Sequence, residues 1–241
     1  MIETVGLSKV YGDKRAVDRL TLRIEPGEVM GFLGPNGSGK TTTIRLLMGL
    51  LRPSEGRASI RGLDCHSDAV VLKREVGYLP DEPFLYPYLS GLELLEFVAG
   101  LHGFPAREAR ERARASAETF GLGAAASAFT VTYSHGTKKR LALAMALIHE
   151  PQVLIMDEPT NGLDPKGARE MRETIARLAA GGRTVFLSPP LLEAAERLCH
   201  RVAIINRGVL QAVGAPHELR ARYAATAETS LEDLFLRVTE E

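Results

Sequence analysis

One stretch limits what this chain can fold into more than any other: Gly34-Pro35-Asn36-Gly37-Ser38-Gly39-Lys40-Thr41-Thr42. It satisfies G-x-x-x-x-G-K-[ST] without a gap. An apolar run, Val29 to Leu33, leads into it, and a helical one, Thr43 to Met48, leads out. Strand, glycine-rich turn and helix in that order make a phosphate-binding loop. The glycines let the backbone wrap close to phosphate oxygens, where a Cβ would block it. The loop N–H groups and the helix N-terminus, which carries about half a positive charge, face the anion. Lys40 reaches the outer phosphates as a point charge, and Thr41 offers a hydroxyl to Mg²⁺. Gly34 to Thr42 are therefore the candidate nucleotide-binding residues of an α/β fold.

A second cluster supports the first. Val153-Leu154-Ile155-Met156-Asp157-Glu158 is four apolar residues ending in two carboxylates. The apolar part reads as a parallel strand buried on both faces. Asp157 then stands at its carboxyl end, where open α/β sheets hold ligands, and can bind Mg²⁺. Glu158, pointing the other way, can orient or deprotonate an attacking water. Thr184 to Ser188 is the next buried strand, and Val202 to Asn206 with Val209 to Val213 reads as a hairpin through Arg207-Gly208.

Between the clusters the composition changes. From Gly91 to Ile148 the pattern is helical, rich in Leu, Ala, Arg and Glu, and reads as an inserted subdomain. Leu92, Leu94, Leu95, Phe97 and Val98 form one apolar stripe. Ala106 to Phe120 carries its charges as a solvated face. Thr132-Tyr133-Ser134-His135-Gly136-Thr137 lies at a helix start; its Ser and Gly suit an N-cap, and the same geometry presents N–H groups to a phosphate. Near the N-terminus, residues 2–10 and 19–25 read as strands around a Tyr11-Gly12-Asp13 turn. Spacing alone leaves Tyr11 two readings, a packed aromatic or a face for a purine ring.

The totals narrow the class. The chain has 241 residues, and Lys+Arg and Asp+Glu are 30 each, so no global charge favours nucleic acid or an anionic membrane. The longest apolar run, Leu141 to Ile148, is too short to span a bilayer. The opening Met1-Ile2-Glu3-Thr4 is neither a signal nor a transit peptide, and Cys65 and Cys199 lack metal spacing and read as reduced thiols of a cytosolic chain.

Taken in order, these motifs resemble the ATP-binding subunit of ABC transporters over nearly the whole chain, and among these the bacterial ABC-2 type group. Gly34 to Thr42 match Walker A, and Val153 to Glu158 match Walker B with its catalytic glutamate. Tyr133 to Thr137 stand at the signature position usually written LSGGQ, and Asn161-Gly162-Leu163-Asp164 matches the D-loop. Tyr11 falls where the family places its adenine-stacking aromatic, and Ser230 to Arg237 resembles the group's C-terminal helix. The resemblance implies a P-loop NTPase core of ABC ATPase type with an antiparallel β subdomain and an inserted helical subdomain. Its expected boundaries are 1–83 and 151–215 for the core, 84–150 for the helical signature subdomain and 216–241 for the helical tail.

It also implies ATP and Mg²⁺ as ligands, with Lys40 and Glu158 catalytic, and Thr41, Asp81 and Asp157 on the metal. ATP would lie between Walker A of one chain and the signature of a second, where Ser134 and Gly136 donate to the γ-phosphate. The dimer, identical or mixed, would drive a transmembrane permease subunit at the cytoplasmic face of the membrane, in the export direction, with the coupling surface near Phe84 to Ser90. No nucleic acid is expected.

Two positions depart from the family pattern. Asp81 holds the Q-loop glutamine position, and Pro190 holds that of the switch histidine. Proline has no side-chain donor, and losing one preorganised donor costs about 10²–10³ in rate. A degenerate ATP-binding module beside a competent partner chain is therefore the alternative. An ATPase acting on DNA or ribosomes lacks support, since the chain has no coiled-coil insert, second ATPase domain or basic stripe. A GTPase would need a guanine-reading N-K-x-D, which is absent.

Overall fold

Alternating buried and exposed side chains build the first two strands, β1 (Ile2–Tyr11) and β2 (Lys14–Ile24), which pair antiparallel with Tyr11 opposite Lys14. The computed structural model describes residues 1–189, 192–223 and 231–240. β2 starts earlier than the sequence pattern suggested. The pairing slips between Thr4 and Leu7 and again on either side of Lys9, and Arg19 has a left-handed backbone (φ +49°), so the alternation is broken where it would have been read.

Next come β3 (Val29–Leu33), α1 (Lys40–Leu47), β4 (Glu55–Ile60), β5 (Leu63–Asp64), α2 (Ala69–Leu72) and β6 (Val76–Leu79). Three helices follow, α3 (Gly91–Leu101), α4 (Ala106–Thr119) and α5 (His135–Leu147), with 3₁₀ turns at Gly123–Ser127 and Thr130–Thr132 before α5. The chain then alternates through β7 (Val153–Asp157), α6 (Pro165–Ala180), β8 (Thr184–Ser188), α7 (Leu192–Leu198), β9 (Arg201–Asn206) and β10 (Val209–Gly214). It closes with α8 (Pro216–Tyr223) and α9 (Leu231–Glu240).

The strands form two sheets. One is antiparallel, in the order β2-β1-β4-β5; the other runs β10-β9-β3-β8-β7-β6 and is parallel except at the β10 edge. β3, β7 and β8 are buried at every residue, which is why each reads as an unbroken apolar run. Ile2, Leu7, Leu20 and Ile60 of the first sheet pack on Met30, Phe32 and Ile44, and the Phe32 and Phe186 rings meet at 5.2 Å across the parallel sheet. This core fixes the carboxyl ends of β3 and β7 side by side, with only β8 between them.

The helical block has a core of its own, in which Leu94, Leu95 and Ala99 of α3 meet Ala109, Ala113 and Ala117 of α4 and Leu141 and Ala144 of α5. The alanines, four residues apart, keep one narrow face on α4 and let α3 approach. A capping box starts α3: the Ser90 hydroxyl accepts from Glu93 N and the Glu93 carboxylate accepts from Ser90 N. Phe97 leaves the stripe expected of it. It is 47% exposed and meets Tyr86 edge to face. The charged face of α4 is solvated as expected at Arg107, whereas Arg112 turns inward over the Phe104 ring at 4.0 Å.

At the carboxyl end, Phe235 and Val238 of α9 pack on the core, and Asn206 Nδ2 donates to Thr239 O at 3.0 Å. Pro190 and Ser230 lie outside the described residues. Among the described residues, no helix is long and apolar enough to cross a membrane.

Candidate functional site

The loop from Gly34 to Gly39 leaves β3 and caps α1. Gly39 is the N-cap, at φ +112°, and a Cβ there would stand 2.3 Å from Ala16 O in β2. At Gly34 a Cβ would meet Ile205 O of β9 at 2.3 Å. These two glycines are thus demanded by the protein's own backbone, wedged between two neighbouring strands, before any ligand is considered. Ser38 anchors the loop, its carbonyl accepting from Gly208 N at 2.8 Å.

Lys40 Nζ curls back to donate to Gly34 O at 2.7 Å and Pro35 O at 3.3 Å. Burial lowers its pKa below that of an ordinary lysine, against the pull of the Glu158 and Asp157 carboxylates. Thr41 Oγ1 donates to Asp157 Oδ2 at 3.1 Å, joining the first turn of α1 to the end of β7. Burial raises the Asp157 pKa, the Thr41 bond opposes this, and Asp81 adds to the rise.

Glu158 is turned where strand alternation would not turn it. Its backbone is left-handed (φ +44°), a strained state for a residue with a Cβ, and its N–H donates to Ser188 O at 2.9 Å. The turn delivers Glu158 to the same cleft as Asn36, Gly37, Lys40, Thr41 and Thr42, a space of about 290 Å³. Burial, then the Asp81 charge, raises the Glu158 pKa, and Lys40 works against them. Tyr11 lines this cleft too, 47% exposed at the end of β1, with Lys9 Nζ 5.2 Å from its ring centre.

Ser134 and Gly136 lie elsewhere. They line a separate cleft of about 810 Å³ between the start of α5, the turn at Gly162–Asp164 and α6. Ser134 is the N-cap of α5, its hydroxyl accepting from Thr137 N at 3.2 Å. His135, which has no partner apparent in sequence, sets its Nε2 3.2 Å from Asn161 O and packs on Gly162.

Asp81 is near enough to raise the Asp157 pKa, and its bonds are to other residues. Its Oδ1 accepts from Asn161 Nδ2 at 3.1 Å and pairs with Lys139 Nζ at 3.4 Å. Lys139, on α5, is 0% exposed and donates to the Glu158 carbonyl at 2.6 Å. Sequence reading passed over it because it sits in the run Lys138-Lys139-Arg140, which looks like surface charge. Its signal was its spacing from Ala142 and Ala146 on a face that the helix buries.

The chemistry of the donor set fits Mg²⁺. Thr41 and Asp157 put two hard oxygens together, and this ion keeps several waters and phosphate oxygens in its shell, needing few from protein. Among the described residues, no group of three or more His, Cys, Asp or Glu offers an all-protein metal cage.

A parallel sheet, a glycine loop capping α1 and an acidic strand end bonded to its threonine define a P-loop nucleotide-binding protein. The family model described as ABC transporter matches residues 17–161. The chain belongs to the ABC transporter family, as an ATP-binding subunit. It is similar to the daunorubicin resistance ATP-binding protein DrrA3 of Streptomyces coeruleorubidus, 43% identical over 90% of this chain and 68% of that one. It is similar also to the Nod factor export ATP-binding protein I of Burkholderia thailandensis, 41% identical over 90% of this chain and 72% of the relative. A solved ATP-binding subunit of an ABC transporter superposes with a TM-score of 0.90 at 30% identity, covering 99% of both chains. The chain spans 59 to 72% of the length of the first curated relatives it matches.

Proposed function

We propose that this chain binds and hydrolyses ATP as the motor subunit of an exporter, working as a dimer beneath a separate transmembrane permease. The observation that carries this reading is the Thr41–Asp157 bond at 3.1 Å, in the wall of the cleft that Lys40, Glu158 and Tyr11 also line. The adenine ring stacks on Tyr11. The triphosphate lies along the backbone N–H groups of Gly37 to Thr42 at the α1 N-terminus, and Lys40 exchanges its two carbonyl partners for β- and γ-phosphate oxygens. Thr41 and Asp157 would hold Mg²⁺, which would supply neutralisation of the phosphate charge. Glu158, its affinity for protons raised by burial, orients the attacking water and takes its proton as the water oxygen bonds to phosphorus and the β–γ bridge breaks.

Ser134 and Gly136 cannot complete this cleft within one chain, since they line another one, and this supports a second chain presenting them to the γ-phosphate. The permease contact is supported by exposed aromatics just after β6: Phe84 is 82% exposed, Tyr86 lies edge to face against it, and Tyr88 is exposed beside them. Such a patch of large apolar rings marks a partner surface. The subunit then sits at the cytoplasmic face of the membrane as a peripheral protein. Relatives named for drug resistance and for export support the outward direction.

A second reading, a nucleotide-binding module with little turnover, rests on Pro190 in the sequence and on Asp81 being engaged with Lys139 and Asn161. Steady-state ATP turnover of the purified chain beside Glu158→Gln and Pro190→His separates the two. Turnover stopped only by Glu158→Gln supports the motor. ATP binding without turnover, restored by Pro190→His, supports the module.

A further inference from the structure

Lys139 belongs to the signature helix, yet its ammonium ends inside the nucleotide-binding core. It is fully buried, and its two partners are the Glu158 carbonyl and the Asp81 carboxylate. Burying a lysine is costly, and a well-packed apolar residue in place of a buried ion pair is often neutral or stabilising. Stability is therefore a poor account of this residue. Its position gives another. The Glu158 backbone is held in a left-handed state, its N–H donating to Ser188 O and its carbonyl accepting from Asn161 N at 3.0 Å within the turn and from Lys139 Nζ at 2.6 Å, the bond that ties the turn to α5. Asn161, three residues on, shares the Asp81 oxygen and offers its own carbonyl to His135 of the signature segment.

We propose that Lys139 is a positioning residue for ATP hydrolysis, clamping the strained Glu158 turn to the signature helix while neutralising Asp81 beside the acidic site. The helix that meets a second chain's nucleotide at Ser134 thereby holds, one and a half turns further along, the carboxylate that works on its own. The inference rests on the motor reading above. Asp81 matters to it because that carboxylate acts on both Asp157 and Glu158. Without Lys139 the site carries three acidic side chains with less counter-charge.

The test uses the full chain with Lys139→Met, Lys139→Arg, Asp81→Asn and the Lys139→Met/Asp81→Asn pair. Turnover, ATP affinity by calorimetry and amide hydrogen exchange over residues 157–164 are measured on each. Displacing a reacting group by about 1 Å costs up to about 10²-fold. Lys139→Met is expected to lower kcat by about 10- to 100-fold with KM and ATP affinity retained, and to speed exchange across residues 157–164. Lys139→Arg, which keeps charge and donors, recovers part of the rate. Asp81→Asn added to Lys139→Met also recovers part, because it removes the carboxylate left unpaired, a coupling that loss of packing alone would not produce. Unchanged exchange in Lys139→Met, or strictly multiplicative losses in the pair, overturns the proposal. Absence of turnover in the unmodified chain would overturn the motor reading instead, and the exchange measurement would still decide the role of Lys139.

Discussion

The P-loop and the signature helix each bring a lysine within the electrostatic reach of Asp157 and Glu158, and they treat it in opposite ways. Lys40 lines an open cleft and rests on neutral carbonyls of its own loop, partners it can leave for a phosphate at little cost. Lys139 is sealed from solvent between a carbonyl and a carboxylate. The first arrangement suits a ligand-binding group and the second a strut. One charge in two settings shows that solvent access and the charge of the partner, not residue type, decide which role a lysine takes.

The sharpest contrast comes from removing the groups proposed to act on ATP. Glu158→Gln is expected to cut turnover by about 10²–10³ while ATP still binds, read by steady-state phosphate release beside calorimetry. Lys40→Met should instead lose ATP affinity, by about 1.5–3 kcal/mol for the charge-assisted contacts, leaving the melting temperature unchanged. If Lys40→Met and Lys139→Met gave the same split between affinity and kcat, the distinction between ligand and strut would fail.

Thr41→Ala removes the bond to Asp157, and a Mg²⁺ titration of ATP binding is expected to shift to higher Mg²⁺ by about tenfold, a loss of order 1–3 kcal/mol. Tyr11→Ala is smaller, about 0.5–1.5 kcal/mol in nucleotide affinity, and is the same for ATP and GTP, because a stacked ring does not read the purine edge.

The last effect leaves turnover untouched and lies away from the cleft, where His149 stacks on His102 with ring centres 3.7 Å apart. Burial first, then His102, lowers the His149 pKa to about 4 from the usual 6.5. Between those values the unfolded chain binds the extra proton, so stability complete above pH 6.5 is lost as pH falls toward 4. Thermal melts from pH 7 to 4 should show the fall, and His149→Phe should flatten it.

Much of this was legible from local spacing. The P-loop, the acidic strand end and the Ser134 cap are each set by neighbours in sequence, so a motif carries their geometry. The parallel strands showed as apolar runs because both faces are covered. What escaped depends on backbone exceptions and on long-range partners. Glu158 reads from sequence as the water-orienting residue, but the left-handed turn by which it lines the cleft has no local signature. The slips in β1 concealed the start of β2. Asp81, Lys139 and Asn161 come from three separate segments, and nothing in any one of them announces the other two. Phe97 fits a helical stripe by period, yet the neighbouring Tyr86 gives it a surface partner instead.

The left-handed turn at Glu158 sets a stability cost on the proposed motor. A side chain at φ +44° is a standing penalty of order 1 kcal/mol, which glycine would not carry. Glu158→Gly is thus expected to melt higher than the unmodified chain while losing turnover. Any selection of this protein for heat resistance alone, blind to turnover, would erase the carboxylate early, so its persistence can serve as a marker that hydrolysis itself is under selection.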